Sequence, residues 1–112
     1  MKTEHYTETP AEAQEAPGVT IRWVIGPQDG APNFAMRVIE VQPGCNTPYQ
    51  THHFEHEVYV LAGAGVVRGA EDETPIGPGT VVYVEPGEKH GFFNIGDEAL
   101  RFICVIPHQR QG

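Results

Sequence analysis

An antiparallel sandwich or small barrel of short β-strands is the fold class predicted for this 112-residue chain. Three observations predict it. Thirteen glycines and ten prolines punctuate the sequence, which favours many turns over long helices. The segments between them are short and rich in Val, Ile, Phe and Tyr, the residues that suit a pleated, half-buried surface. No stretch keeps apolar residues at i, i+3, i+4 and i+7 long enough to predict a helix. The length suits one compact domain with a real core.

Residues 1–17 are polar and acidic, contain Pro10 and Pro17, and lack an apolar period. They are expected to form a flexible tail, with at most a turn of helix over "AEAQEA", ahead of a single barrel domain over residues 18–112. "TIRWVI" predicts the first strand and "GPQDGAPN" its stop. "FAMRVIEV" follows, ending at "QPG". Further strands are expected in "TPYQTHHFEHEVYVLAG", "GVVRG", "GTVVYVEPG", "HGFFNIG" and "LRFICVIP".

Composition excludes some functions. A net charge of −8 with seven Lys and Arg argues against nucleic acid, which is bound by clustered cations that displace counterions. There is no apolar run of the roughly 18 residues needed to span a bilayer. The N-terminus lacks the apolar core of a secretion signal, so a cytoplasmic location is expected. Cys45 and Cys104 have no CxxC spacing and are expected as free thiols.

The stretch "QTHHFEHEVYV" sets three histidines and two glutamates ahead of an apolar run. In a strand, alternate side chains share a face. Gln50, His52 and His56 would then point one way, and His53, Glu55 and Glu57 the other. His90 follows the turn "EPGEK" on another strand. Inside a barrel Gln50, His52, His56 and His90 could converge, offering an amide oxygen and three imidazole nitrogens to one ion. Four ligands on an ion that accepts six leave two positions for water or substrate, the layout of a reactive site. His53 reads as a surface residue, and His5 and His108 are given no role.

At these residues the sequence resembles the cupin superfamily, in particular its small single-domain members. "GCNTPYQTHHFEHEVYVLAG" follows the first cupin motif, G(X)5HXH(X)3,4E(X)6G. "GTVVYVEPGEKHGFFN" matches the second, G(X)5PXG(X)2H(X)3N, at Gly79, Gly87, His90 and Asn94. The resemblance implies a jelly-roll β-barrel with a central metal, and frequently a homodimer. Gln50 stands where the family's first histidine would be, so it either ligates the ion or merely lines the cavity. His56 stands at the three-residue spacing of the usual glutamate, and Glu57 at the four-residue spacing; strand parity favours His56. Glu85 replaces a turn proline, a change expected to be benign.

An all-neutral ligand set leaves the charge of a divalent ion uncompensated in a partly apolar barrel. The expected partner is therefore a small anionic or chelating molecule bearing an enolate, carboxylate or hydroxy-keto group. One transition metal per chain is expected, manganese or iron first on the resemblance, with zinc, nickel, cobalt and copper as alternatives. Phe92, Asn94, Phe102 and Cys104 are expected to line the pocket. Cys104 is either a thiol activated near the metal or a buried structural residue. No catalytic residue is assigned. The family suggests a metal-dependent, dioxygenase-like oxidation of a small substrate, with isomerisation, lactone opening and decarboxylation as other reactions. Its rival is a binding module that holds a metabolite or sugar without turning it over.

Overall fold

The computed structural model describes residues 1–108; residues 109–112, the end of the expected barrel domain, lie outside them. Among the described residues nine strands run β1 (Glu12–Ala13), β2 (Val19–Ile25), β3 (Phe34–Val41), β4 (His56–Ala62), β5 (Gly65–Arg68), β6 (Glu73–Ile76), β7 (Val81–Val84), β8 (Gly91–Asn94) and β9 (Leu100–Pro107). They build a six-stranded sheet, β1-β2-β3-β9-β4-β7, facing a three-stranded sheet, β6-β5-β8, and every pairing is antiparallel. The chain is a jelly-roll-like barrel of short antiparallel strands, the fold class predicted.

The core lies between the sheets. In β9 the burial alternates without a break, with Leu100, Phe102, Cys104 and Ile106 inward. In β4 it alternates from His56 through Val58 to Val60. Leu100, Val41 and Val60 are fully buried, and Phe102 stacks on Phe92 with ring centroids 4.6 Å apart. Each such side chain stabilises the barrel by about 1.5–3 kcal/mol relative to exposure.

Three elements differ from expectation. Residues 50–55 are not strand, and β4 begins only at His56. The preceding segment runs beside β8 through two isolated bridges, Asn46 to Phe93 and Gln50 to His90, so its backbone groups are satisfied without regular pairing. β6 was not foreseen, because Glu73, Thr74 and Pro75 carry no strand signal; as an edge strand it tolerates the proline that a central strand would reject. The suggested helical turn near "AEAQEA" is instead β1, whose two residues hydrogen-bond along β2. Farther toward the N-terminus, Lys2 pairs with Asp29 at 2.7 Å, and Arg22 donates to the Thr9 carbonyl at 2.6 Å.

Candidate metal centre

His56 opens β4 with its side chain inward, 5% exposed, and His90 sits at the head of β8, 7% exposed. His52 arrives from the loop before β4, and backbone bonds hold that loop in place. Gly87 N–H donates to the His52 carbonyl at 2.7 Å, and Gln50 and His90 exchange both backbone bonds at 3.1 Å. Gly87 has φ +80°, a conformation that glycine adopts without steric cost. The turn that presents His90 therefore also clamps the loop that presents His52.

One ligand atom from each of His52, His56 and His90 lies within 4.8 Å of the others. His56 Nε2 is 3.2 Å from His52 Nδ1. Two nitrogens bound to one ion at about 2.0–2.1 Å stand about 2.9–3.4 Å apart, so this pair is already spaced as ligands. His90 Nδ1 lies 3.0 Å from the Glu88 carbonyl. A carbonyl accepts only from N–H, so in the neutral ring this bond leaves Nε2 of His90 with its lone pair, as metal-binding histidines require. Gln50 Nε2 approaches His52 Nε2 at 3.3 Å, on the ring nitrogen opposite the one that faces His56.

The electrostatics favour neutral imidazoles at His52 and His56. Burial, reinforced by His90, Arg37 and His52, pushes His56 down to about 3. Burial also lowers His52, with His90, Arg37 and His53 adding to the effect. A neutral imidazole is the form that binds metal, so His52 and His56 are held in the form that a transition metal ion requires.

A cavity of about 160 Å³ opens at this cluster. Gln50 and the three histidines line it, together with the apolar Val19, Ile21, Ile39, Phe92 and Phe102. Cys104 lines it as well; burial raises its thiol pKa and Arg37 partly opposes this, so a protonated buried thiol is favoured. Asn94 is placed elsewhere. Its amide donates to the Val41 and Glu98 carbonyls at 2.8 and 2.7 Å and accepts from Gly96 N–H at 2.8 Å. His53 is exposed. A larger groove of about 520 Å³, bordered by Arg68, Asp72 and Lys89, meets the cluster at His90.

Arg37, Gln14 and Thr47 also line the cavity, and the sequence reading missed all three. For Arg37 there was half a signal. β3 carries one charge on each face, Arg37 on one and Glu40 on the other, so alternation alone could not say which points inward.

Residues 37–106 match the family model described as Cupin domain. Among solved structures, the chain is similar to the polyketide cyclase RemF from Streptomyces resistomycificus, at 34% identity and a TM-score of 0.91, covering 100% of this chain and 82% of that one. Among curated proteins it is 33% identical over 69 residues to an oxalate-binding protein from Thermotoga maritima, covering 61% of this chain and 57% of the relative. It is 29% identical over 75 residues to 1-methylthio-D-xylulose 5-phosphate methylsulfurylase from Rhodospirillum rubrum, covering 67% and 48%. The chain spans about half the length of the curated relatives it matches. With the family model matched over residues 37–106 of 112, the chain belongs to the cupin family.

Proposed function

We propose that this chain is a metal-dependent enzyme that binds a small chelating ketone and closes it into a ring by carbon–carbon bond formation, as in the cyclisation of a poly-β-keto substrate. The observation that carries this reading is the cavity itself, lined by three clustered imidazoles together with aliphatic and aromatic side chains. Such a site suits a molecule whose oxygens gather at the metal and whose carbon skeleton is held away from water. The similarity to RemF over the whole chain supports the same reaction class.

His52, His56 and His90 are the proposed ligands, with Gln50 as a neutral fourth donor. Manganese or iron is the proposed resident metal. A divalent ion there would act as a Lewis acid, polarising adjacent carbonyl groups. The chain's own residues do the rest. Glu88 O holds the proton on His90 Nδ1, while Phe92 and Phe102 present flat apolar surface against which a folded carbon chain can lie. The ring closure needs no oxidant: a C–H α to two carbonyls is lost, a C–C bond forms to a second carbonyl carbon, and the proton passes to that carbonyl oxygen.

A second reading, ligand capture without turnover, is supported by the similarity to the oxalate-binding protein. Incubating metal-loaded protein with a synthetic linear tetraketide, with and without oxygen, separates the readings. A cyclised product formed without oxygen supports the proposal. A product requiring oxygen instead supports the dioxygenase-like chemistry expected from the family resemblance, and saturable binding without product supports capture.

The outer side of β4 and β7 exposes Tyr59, Val81 and Tyr83, at 48%, 71% and 61%. We take this apolar face as support for a two-fold homodimer, which would cover it. No helix among the described residues is long and apolar enough to cross a membrane; a cytoplasmic location is part of the proposal.

A further inference from the structure

We propose that Arg37 is the substrate-anchoring residue of this cavity, and that the molecule it takes carries an anionic oxygen, a carboxylate or enolate, besides the oxygens that chelate the metal. Three observations support the assignment.

The first is placement. Arg37 lies on the inward side of β3, opposite Trp23 of β2 and Cys104 of β9 in the strand registers. Its guanidinium sits over the Trp23 ring at 5.3 Å, and Nη2 donates to Cys104 Sγ at 2.9 Å and lies 3.4 Å from His56 Nδ1. Neighbours on both sides hold it at the cluster, so little freedom remains to be lost on binding.

The second is the lack of an oxygen partner. The ring, the sulfur and the imidazole nitrogen account for its contacts among the described residues; none is a carboxylate or carbonyl oxygen, and Nε is buried with no partner. Arg22 and Arg101 also have a buried unpaired Nε, but each reaches an oxygen: Arg22 the Thr9 carbonyl, and Arg101 the Glu40 carboxylate at 3.6 Å. A guanidinium is always charged, and a charge partly withdrawn from water, as in half-buried Arg37, is stabilised by a counter-charge. The acceptor that would satisfy Arg37 is absent from the described protein, which points to the ligand.

The third is charge. A divalent ion held by the three histidines would, together with Arg37, make this cavity positive inside a chain of net charge −8. The surrounding field does not attract anions in general, so anion preference must originate in the cavity.

This inference rests on the proposed chelating site, and matched probes separate the two. Propionohydroxamate chelates a metal through two oxygens and ends in a methyl group. The monohydroxamates of succinic, glutaric and adipic acid carry the same chelator and end in a carboxylate at three reaches. Calorimetric titration of zinc-loaded protein should show at least one carboxylate probe binding about tenfold or more tighter than propionohydroxamate, the order expected of a charge-assisted hydrogen bond. In Arg37→Met that advantage should disappear while propionohydroxamate affinity and zinc content stay within about twofold, and Arg37→Lys should retain part of it. Propionohydroxamate binding with no advantage at any reach, or an advantage that survives in Arg37→Met, overturns the Arg37 assignment alone. If the zinc-loaded wild type binds none of the probes, the chelating site fails and the assignment falls with it. If Arg37→Met does not fold, the wild-type series and Arg37→Lys still decide.

Discussion

Acidifying the metal-free protein from pH 7 to pH 4 should cost it roughly 2 kcal/mol of stability through His56 alone. In the unfolded chain this imidazole takes up a proton near 6.5, whereas in the barrel it stays neutral down to about 3. A histidine with a lowered folded pKa contributes stability that is fully present above the unfolded value and lost as pH falls toward the folded one. Between those limits unfolding binds one extra proton, with a slope of about 1.36 kcal/mol per pH unit. The two and a half units from 6.5 to 4 give about 3.4 kcal/mol, which solvent reaching the cavity reduces to roughly 2. That is a large share of the roughly 5–15 kcal/mol typical of a domain. Urea unfolding in chelator at pH 7, 5.5 and 4, for wild type and His56→Gln, isolates the contribution, because acid effects elsewhere cancel in the difference. The variant's pH slope between 6.5 and 4 should be shallower by about 0.6 proton on average. Parallel slopes would refute the reasoning, since His56 would then titrate alike in both states.

Replacing Gly63 by Ala should destabilise the barrel by at least about 2 kcal/mol, because Gly63 has φ +90° and an added Cβ would lie 2.5 Å from the Ala99 carbonyl oxygen; chemical denaturation reads it directly. Asn94→Ala removes three hydrogen bonds, one buried and two partly buried, and should cost about 2–4 kcal/mol while leaving metal content per folded chain unchanged, as elemental analysis would show. Gln50→Ala should weaken metal binding by about tenfold to a hundredfold without abolishing it, measured by competition with a fluorescent chelator. Tyr83→Asp should lower the mass seen by light scattering from dimer to monomer; an unchanged dimer would move the interface elsewhere.

The barrel was legible because β3 and β9 announce themselves as unbroken runs, "FAMRVIEV" and "LRFICVIP", bounded by turn residues, and the structure returns both at those limits. The histidines were legible for a partly mistaken reason. Strand parity grouped His52 with His56, yet residues 50–55 are a loop, and His52 joins the cluster through the bond from Gly87 to its carbonyl. Such tertiary clamping leaves no periodic trace in a sequence. Arg37 shows the same limit from the other side. Its inward direction is set by pairing with β9, where Cys104 lies opposite, and a strand with one charge on each face does not reveal its register alone. Asn94 was grouped with the pocket by parity with His90, but its amide is taken up by the turn after β8, a local bond that competes with any outward role.

The claim beneath all of this is that His52, His56 and His90 hold one metal ion. An anomalous-difference map from crystals of the metal-loaded protein tests it most directly. The expected result is a single strong peak per chain within about 2.0–2.3 Å of one nitrogen from each of the three rings. Crystals grown with excess metal that show no peak there, or a peak on other side chains, would contradict it.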